Sequence, residues 1–448
     1  MKQKKAKPVL SELRKLAVPA SIGFLFNTLF NVVDSYFAGQ IGTQAVAGMT
    51  LAFPVFLLLL ALASGLGNAI NALSSIALGE EDPTKFHKLL KNSLLISAVF
   101  ALLIPLVAPS LARVVFDFQG AEMEAQRYAI RYIQTVMIGF GLFMLNFSLN
   151  GFLYAQGDAK PFRNFLIVAS LANIALNPLF IYGFWIIPGL DTLGIALATI
   201  LVQLGGSVYL ILKVIRSEPF SWSEFKKTSL TVLTVKELLG QAFPSALNTA
   251  TIALGIFVIN YYVQLYGGTA TLAGYGIALR IEQLALVPTI GLNVAVISLV
   301  GRSFGRKDKE RLYNVWKKAT VSGLIIMGIG VVVIVPLAPW LISFFDESRE
   351  VVDAGTRYLR IEALAFFSYI FLNVSISVLQ GVKRPGFSFV VGSFRQFVPI
   401  GLFYFLGTTL AMGIDGVWWG IVLINWLAVA MTLVYTHRVV RHVTDGFA

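Results

Sequence analysis

The sequence predicts an all-α, polytopic membrane protein with 12 transmembrane helices in two six-helix lobes. The chain is 57% hydrophobic and only 13% charged, whereas a soluble domain carries about 25% charged residues. Several apolar runs reach the roughly 20 residues that cross a hydrocarbon core, and one hydrophobic pattern is written twice. Because each copy has an even number of helices, we expect the two lobes to be related by a pseudo-two-fold axis along the membrane normal.

The apolar runs define the elements in chain order. The predicted lobes are residues 1–215 and 237–448, joined by a charged cytoplasmic linker, 216–236, that is too short to form a domain. The predicted helices cover residues 12–38, 46–77, 88–112, 126–152, 162–184, 193–216, 236–265, 271–301, 311–343, 352–378, 386–410 and 415–439.

The duplication is visible in paired landmarks, such as Pro19 with Pro244, which recur at offsets of 222 to 229 residues. The two copies differ at Asp34, which lies near the outer end of the first helix and aligns with Ile259. A duplicated scaffold with one asymmetric buried acid is typical of a transporter with a single coupling site.

The net charge of +12 is concentrated on one predicted side of the membrane. With the N-terminus in the cytoplasm, 27 of the 35 Lys and Arg residues fall in cytoplasmic loops and tails. This asymmetry predicts a multi-pass protein of the cell (inner) membrane with both termini cytoplasmic. We therefore expect the basic residues to face the lipid bilayer and not a nucleic acid, and we interpret Lys2, Lys4, Lys5 and Lys7 as an orientation anchor.

Asp34 is the main candidate for a coupling residue. A carboxylate inside hydrocarbon costs about 2.5–3.5 kcal/mol on insertion scales, and desolvation favours its protonated form. The spans of the first lobe contain no basic residue that would neutralise Asp34 permanently. We therefore expect Asp34 to load and release a proton that arrives from outside, with Asn173, Asn177 and Thr199 as neighbouring hydrogen-bond donors.

Further polar residues lie inside the predicted spans. Asn27 and Asn31 share a helical face with Asp34, Asn68 belongs to a polar stripe of the second helix, and Gln203 lies in the sixth. Two interpretations stay open. In the first, these side chains line a substrate cavity. In the second, they form hydrogen bonds between packed helices, each of which contributes about 1 kcal/mol to the stability of the fold.

Pro19 lies fifteen residues before Asp34 and predicts a kink in the first helix. The kink is either static or a point where the helix bends when Asp34 is protonated. In the second lobe, Glu282 and Arg395 lie at similar depth near the midplane and are a candidate charge pair, either structural or a second coupling site. Glu362 lies nearer the outer surface, where we expect it to be hydrated.

Several motifs together resemble the multidrug and toxic compound extrusion (MATE) family over essentially the whole chain. They are Leu-Ala-Val-Pro at 16–19, Val-Val-Asp at 32–34, Gln-Gly-Asp at 156–158 with Pro161, Asn-Ile-Ala-Leu-Asn-Pro at 173–178 and Gly-Ile-Ala-Leu-Ala-Thr at 194–199. The resemblance implies a secondary antiporter that exports organic, often cationic, compounds against an inward flow of H+ or Na+.

The resemblance also suggests a branch of the family. Asp34 matches the first-helix acid of the branch that includes DNA-damage-inducible protein F. Asn173 and Thr199 fit the surroundings of that acid, while Asn177 stands where some relatives have Asp. Fewer carboxylates disfavour a tight Na+ site, and residues 238–265 lack the acid that the Na+-coupled branch carries there.

The expected function is export of amphipathic, cationic organic compounds or drugs in exchange for protons by alternating access. We expect a monomer without a cofactor or a bound metal, since the chain has no cysteine and its three histidines lie at or beyond the ends of the predicted spans. A Na+-coupled antiporter and a flippase for a lipid-linked precursor remain alternatives, although a flippase cavity needs more cations than Arg280 and Arg395. An enzyme is not expected because no acid/base or nucleophile constellation is present.

Overall fold

The structure is a computed structural model that describes residues 8–118, 123–183, 185 and 188–447, all organised around α-helices. The Lys-rich first seven residues, predicted to anchor the orientation, lie outside the described residues. The helices are α1 (Val9–Ile41), α2 (Thr43–Gly79), α3 (Pro83–Phe118), α4 (Met123–Ile138), α5 (Phe140–Ala155), α6 (Lys160–Tyr182), α7 (Asp191–Ile215), α8 (Trp222–Lys227), α9 (Val232–Gly305), α10 (Lys309–Ser343), α11 (Arg349–Gly381), α12 (Gly386–Tyr404) and α13 (Ile414–Asp445), and a π-helical segment, Phe405–Thr409, extends α12.

Ten of the described helices are long and apolar enough to cross a membrane, and α4 with α5 forms a further bent span. The helix α9 has 74 residues, about 110 Å at 1.5 Å per residue, which exceeds the thickness of one hydrocarbon core. It is interrupted at Gly268, whose φ of 71° lies in the left-handed region that glycine tolerates. With α9 counted as two spans, the described chain has the twelve spans that the sequence predicts.

The fourth predicted helix, 126–152, is in fact two helices, α4 and α5, which meet at an angle of 50°. Gly139 stands between them. A Cβ atom at Gly139 would lie 2.5 Å from the side chain of Ile200 on α7, so the bend brings the backbone closer to α7 than any larger residue allows. The bend therefore lies at a close contact with another helix.

The predicted linker, 216–236, is structured and contains the short helix α8. It lies against the first turns of α3, where the Lys91 ammonium donates to the Thr228 carbonyl at 2.7 Å. The backbone N–H of Ser221 donates to Nε2 of the buried His87 at 2.8 Å. Nδ1 of His87 therefore carries the hydrogen and donates to a carbonyl of the preceding turn. These bonds hold the linker on the N-terminal end of α3.

The chain divides into two compact units whose limits fall inside helices. The N-terminal unit is Ile22–Ala246, and the C-terminal unit combines Met1–Ser21 with Leu247–Ala448. The predicted lobes, 1–215 and 237–448, differ from these units at the beginnings of α1 and α9. Each of these two helices contributes residues to both units.

Close backbone packing explains why the beginning of α1 belongs to the C-terminal unit and the beginning of α9 to the N-terminal unit. In the C-terminal unit, a Cβ atom at Gly291 of α9 would lie 2.4 Å from the Ala17 carbonyl of α1. In the N-terminal unit, a Cβ atom at Gly65 of α2 would lie 2.7 Å from the Ala242 carbonyl of α9. Small residues at helix contacts are the usual way in which membrane helices approach each other closely.

Candidate functional site

Asp34 is buried in the N-terminal unit, with 3% of its surface exposed, where α1 meets α6 and α7. Its Oδ1 atom accepts hydrogen bonds from Nδ2 of Asn173 at 3.0 Å and from Nδ2 of Asn177 at 2.9 Å. The two asparagines lie one turn apart on α6 and therefore point to the same place. The second amide hydrogen of Asn177 is donated to Oδ1 of Asn173 at 3.1 Å, and this bond holds the two asparagine side chains in place.

The second oxygen of Asp34 is less well satisfied. Oγ1 of Thr199, on α7, is 3.4 Å from Oδ2 of Asp34 and 3.0 Å from the carbonyl of Ile195. A hydroxyl has a single hydrogen, and the shorter distance favours its donation to Ile195. Oδ2 is then the oxygen with room for a proton, because a protonated carboxyl can donate to the lone pairs of Thr199.

The surroundings of Asp34 are otherwise neutral. Among the described residues, no Lys or Arg forms an ion pair with Asp34. Tyr132 of α4 is buried close enough to interact with its charge. The structure therefore brings Asp34, Asn173, Asn177 and Thr199 together, as the sequence predicts, while their role in coupling stays a prediction.

The other predicted polar residues do not join Asp34. The Asn31 amide is exposed and donates to the Asn27 backbone carbonyl of its own helix at 2.8 Å. The Asn68 amide donates to Oγ of Ser245 at 3.3 Å. Gln203 accepts from Nδ2 of Asn146 at 2.7 Å. For Asn68 and Gln203, these contacts favour bonding between packed helices over the lining of a cavity.

Asn146 is a buried polar residue that the sequence analysis missed. Its amide donates to Gln203, and its Oδ1 accepts from Oγ of Ser207 at 2.8 Å. The signal that could have found it is an isolated Asn in the middle of an apolar span, since such a residue needs partners in hydrocarbon. Its neighbours on α7 then supply them.

In the C-terminal unit, Glu282 and Arg395 are not joined in a direct salt bridge, in contrast to the predicted charge pair. Oε2 of Glu282 accepts from the Tyr358 hydroxyl at 2.7 Å. Nε of Arg395 donates to Oδ1 of Asn425 at 2.8 Å, and its guanidinium lies 5.4 Å from the centre of the Tyr369 ring. Glu282 and Arg395 are thus each hydrogen-bonded to a different side chain, and their charges interact only over a longer distance.

Glu362 is buried, which corrects the expectation that it is hydrated. Only 1% of its surface is exposed, and its Oε1 accepts from the Tyr369 hydroxyl at 2.7 Å. Its signal in the sequence is the spacing of Tyr358, Glu362 and Tyr369, which lie on one face of a helix at intervals of four and seven residues. Within the described part of the chain, no group of three or more His, Cys, Asp or Glu side chains is placed to hold a metal ion.

The family model described as MatE matches residues 19–179 and, a second time, residues 244–405. The chain belongs to the MATE family. The two matched segments begin at Pro19 and Pro244, one of the landmark pairs from which the duplication is predicted. The MATE assignment therefore covers both copies of the repeated pattern.

Several MATE relatives are similar over nearly the whole length. The chain is 23% identical over 427 residues to the probable multidrug resistance protein YoeA of Bacillus subtilis (93% of this chain, 91% of the relative). It is 24% identical over 388 residues to the probable multidrug resistance protein NorM of Thermotoga maritima (84% and 80%). A solved structure of an outward-facing multidrug resistance MATE family transporter of the MOP superfamily superposes with a TM-score of 0.89 at 25% identity, covering 98% of this chain and 97% of that one.

These MATE similarities agree with the twelve apolar spans. The chain is a multi-pass membrane protein of a family that contains multidrug efflux transporters. Membership in the branch that includes DNA-damage-inducible protein F stays a prediction.

Proposed function

We propose that this chain is a secondary active antiporter that exports amphipathic, cationic organic compounds in exchange for protons by alternating access. Asp34 is the proton-binding group. The observation that carries the proposal is a buried carboxyl held by neutral amide donors, with no ion pair to a basic residue in the described part of the chain. The multidrug resistance names of the relatives support the class of substrate.

The arrangement around Asp34 suits both protonation states. When the carboxyl is ionised, the Asn173 and Asn177 amides donate to Oδ1 and offset part of the desolvation of the charge. When Oδ2 takes up a proton, the same amide bonds persist and the new O–H group donates to Thr199. Because neither state leaves the donors without an acceptor, a proton can enter and leave at small structural cost.

Protons suit this site better than Na+. Sodium is a hard cation that prefers several oxygen ligands, anionic ones above all. Here one carboxylate is present, and both asparagines direct N–H groups to its Oδ1 atom. Oδ1 of Asn177 is a buried oxygen without a hydrogen-bond partner and would be one ligand for Na+. A site with one carboxylate and mostly N–H donors favours the proton as coupling ion, with no further cofactor.

Protonation of Asp34 also biases the shape of α1. Pro19 is buried within the helix and has no N–H to donate to the carbonyl one turn earlier, which weakens the helix at this point. The helix passes from the C-terminal to the N-terminal unit two residues later, between Ser21 and Ile22. We infer that a change of hydrogen bonding at Asp34 is transmitted along α1 and absorbed by bending near Pro19.

The proposed setting is the cell (inner) membrane, with both termini in the cytoplasm and the monomer as the functional unit. The strong excess of Lys and Arg in one set of loops supports this orientation. The organic substrate and the lipid bilayer are then the partners of the chain.

The proposal is tested in proteoliposomes with separately imposed pH and Na+ gradients, using ethidium as the organic cation. The variants are wild type, Asp34→Asn and Asp353→Asn, a matched control at an exposed position whose carboxylate pairs only loosely with Arg349. Wild type and control are expected to move ethidium when a pH gradient is applied. Asp34→Asn is expected to stay at the level of empty liposomes.

Two results contradict the proposal. Ethidium transport that follows the Na+ gradient alone removes the proton as coupling ion. Equal pH-driven transport by wild type and Asp34→Asn removes Asp34 from the mechanism, whatever the ion.

A further inference from the structure

The C-terminal unit gathers three arginines where α1 begins, α9 ends and α10 begins. Arg302 lies in the last turn of α9, and the backbone N–H of Arg306, one turn later, donates to its carbonyl at 3.1 Å. Arg311 lies in the first turn of α10, and its guanidinium donates to the Glu12 carboxylate of α1. Arg302 interacts electrostatically with both other arginines and with Glu12. We call Arg302, Arg306 and Arg311 the arginine cluster.

The loop in front of α10 repeats the backbone of the loop in front of α3. Glu81 and Lys307, 226 residues apart, both have left-handed φ angles, 57° and 56°. Asp82 and Asp308 each cap the helix that follows and accept a backbone N–H at 2.8 and 2.9 Å. The left-handed residue and the cap set the shape of both loops. Because Asp308 already caps α10, an anion at this loop has to be bound by side chains.

The charges of the two loops are opposite although their backbones agree. In the first copy of the repeat, Glu80 forms an ion pair with Lys85. The residues at the same offset of 226 in the second copy are Arg306 and Arg311, which are both cations. The shared fold therefore does not require the positive charge at this place. Like charges held close together destabilise each other, and Glu12 offsets only one of the three.

Guanidinium groups suit a phosphate as the missing anion. Arginine forms two parallel N–H···O bonds with a phosphate, a geometry that lysine lacks. A guanidinium carries five N–H hydrogens, so Arg311 is able to keep its bond to Glu12 and bind a phosphate as well. Arg306 is exposed and gives an anion access from outside the helices.

The arginine cluster lies at the depth of lipid headgroups. Charged residues are absent from long runs that begin or end next to it, namely 16–33 in α1, 283–301 in α9 and 319–345 in α10. Arg302 directly follows its run, and Glu12 is four residues, about 6 Å, before its own. Tyr313 and Trp316 of α10 stack on each other between the cluster and the third run, as aromatic residues do at membrane interfaces.

An apolar stripe on α10 favours a lipid over a free phosphate. Val321, Ile325 and Ile329 recur at steps of four residues, and all three are exposed. Ile329 follows Arg311 by 18 residues, which is five turns, so the two share a helical face. A free phosphate leaves this stripe uncovered, whereas the acyl chains of a lipid bound at Arg311 extend along it.

We propose that Arg302, Arg306 and Arg311 bind the phosphate of an anionic phospholipid, whose acyl chains lie along the exposed face of α10. The site goes beyond the proposed antiport and does not depend on the coupling ion. Only its assignment to the cytoplasmic leaflet rests on the proposed orientation of the chain.

The test measures lipid binding to the purified full-length protein in detergent by native mass spectrometry. Phosphatidylglycerol is the anionic probe, and phosphatidylcholine is the zwitterionic one. Wild type is expected to bind the first phosphatidylglycerol more tightly than phosphatidylcholine. Arg306→Glu gives the loop the charge of its first-copy counterpart and should raise the Kd for phosphatidylglycerol by about fivefold or more. The matched control Arg384→Glu, at an exposed position of the same unit, should change it by less than about twofold.

A second variant keeps the test valid if Arg306→Glu fails to fold. Arg311→Lys retains the charge beside Glu12 but not the paired N–H groups, so a smaller rise in the Kd for phosphatidylglycerol is expected. Equal affinity of wild type for both lipids, no rise in either variant, or an equal rise in Arg384→Glu overturns the site. Displacement of phosphatidylglycerol by excess inorganic phosphate at constant ionic strength overturns the lipid as its occupant. Transport driven by Na+ alone would contradict the proposed function and leave these lipid affinities unchanged.

Discussion

The two units of this protein bury carboxyl groups in different ways. In the N-terminal unit, a single acid, Asp34, is surrounded by two amides and one hydroxyl. In the C-terminal unit, two acids, Glu282 and Glu362, share one cation and a set of tyrosines. The first site is neutral only when protonated. The second is neutral while one of its carboxyls remains ionised.

The difference shows how a neighbouring cation changes what a buried acid can do. Arg395 is a cation whose charge favours the ionised form of a neighbouring carboxyl. Asp34 has no such partner, so its charge depends entirely on the proton. A single acid among neutral donors is therefore the more direct sensor of a pH gradient.

The largest effect is expected when the single acid is moved to the other copy of the repeat. The double variant Asp34→Asn with Ile259→Asp restores the number of carboxyls but places the acid in the C-terminal unit, whereas Asn173 and Asn177 belong to the N-terminal unit. Without such donors a carboxylate in hydrocarbon costs about 2.5–3.5 kcal/mol. We expect pH-driven ethidium transport to remain at background in proteoliposomes. Recovery of transport would show that the donors are dispensable.

Removal of the shared cation is expected to have the next largest effect. Arg395→Leu leaves two carboxyls without compensation and should lower the free energy of unfolding by about 3–5 kcal/mol at neutral pH. At acidic pH the loss should be smaller, because both carboxyls can then be protonated. Thermal unfolding of the solubilised protein measures this, with Arg349→Leu as an exposed control expected to change it by less than about 1 kcal/mol.

The same experiment tests the balance of charge among Glu282, Glu362 and Arg395. Glu362→Gln leaves Glu282 as the only carboxyl beside Arg395 and keeps an acceptor for Tyr369. It should therefore be far less destabilising than Arg395→Leu. Equal losses of unfolding temperature in both variants would mean that charge balance in the cluster does not decide its stability.

A smaller effect is expected when one donor to Asp34 is removed. Asn177→Leu deletes a hydrogen bond of 2.9 Å to the carboxylate, and bonds to charged groups contribute about 1.5–3 kcal/mol. Because the bond stabilises the ionised form, the pH of half-maximal transport should rise by roughly 1–2 units. The measurement is ethidium transport at a series of pH values. A shift to lower pH would contradict the assigned direction of the bond.

The smallest effect is expected at Thr199. Its hydroxyl is 3.4 Å from Asp34 and closer to a backbone carbonyl, so it contributes little to the ionised form. Thr199→Val keeps the shape and should move the pH of half-maximal transport by less than about 0.5 of a unit. A shift as large as that of Asn177→Leu would show that the hydroxyl donates mainly to Asp34.

Much of the first site was predictable because its residues follow helical spacing. Asn173 and Asn177 are one turn apart, and a lone acid in an apolar span requires partners from neighbouring helices. The number of spans was also predictable, because hydrocarbon thickness sets the length of each apolar run. Both results depend on patterns within single helices.

The remaining features depend on contacts between helices that a single sequence does not reveal. At the bend, the backbone of Gly139 lies close to the Ile200 side chain of α7, a contact between helices that the sequence does not show. Glu362 was expected to be hydrated because only its distance from the helix end was considered. Its burial depends on Tyr369 and on the neighbouring helices.

The shared beginnings of α1 and α9 have a consequence for the autonomy of the two copies. The first copy lacks residues 232–246, which its unit takes from α9, and the second lacks residues up to Ser21, which its unit takes from α1. A chain severed in the segment before α9 would therefore yield fragments that need each other to complete their own folds. A single copy of the repeat, expressed alone, would have to form a domain-swapped dimer in which two identical chains exchange the N-terminal turns of their first helices.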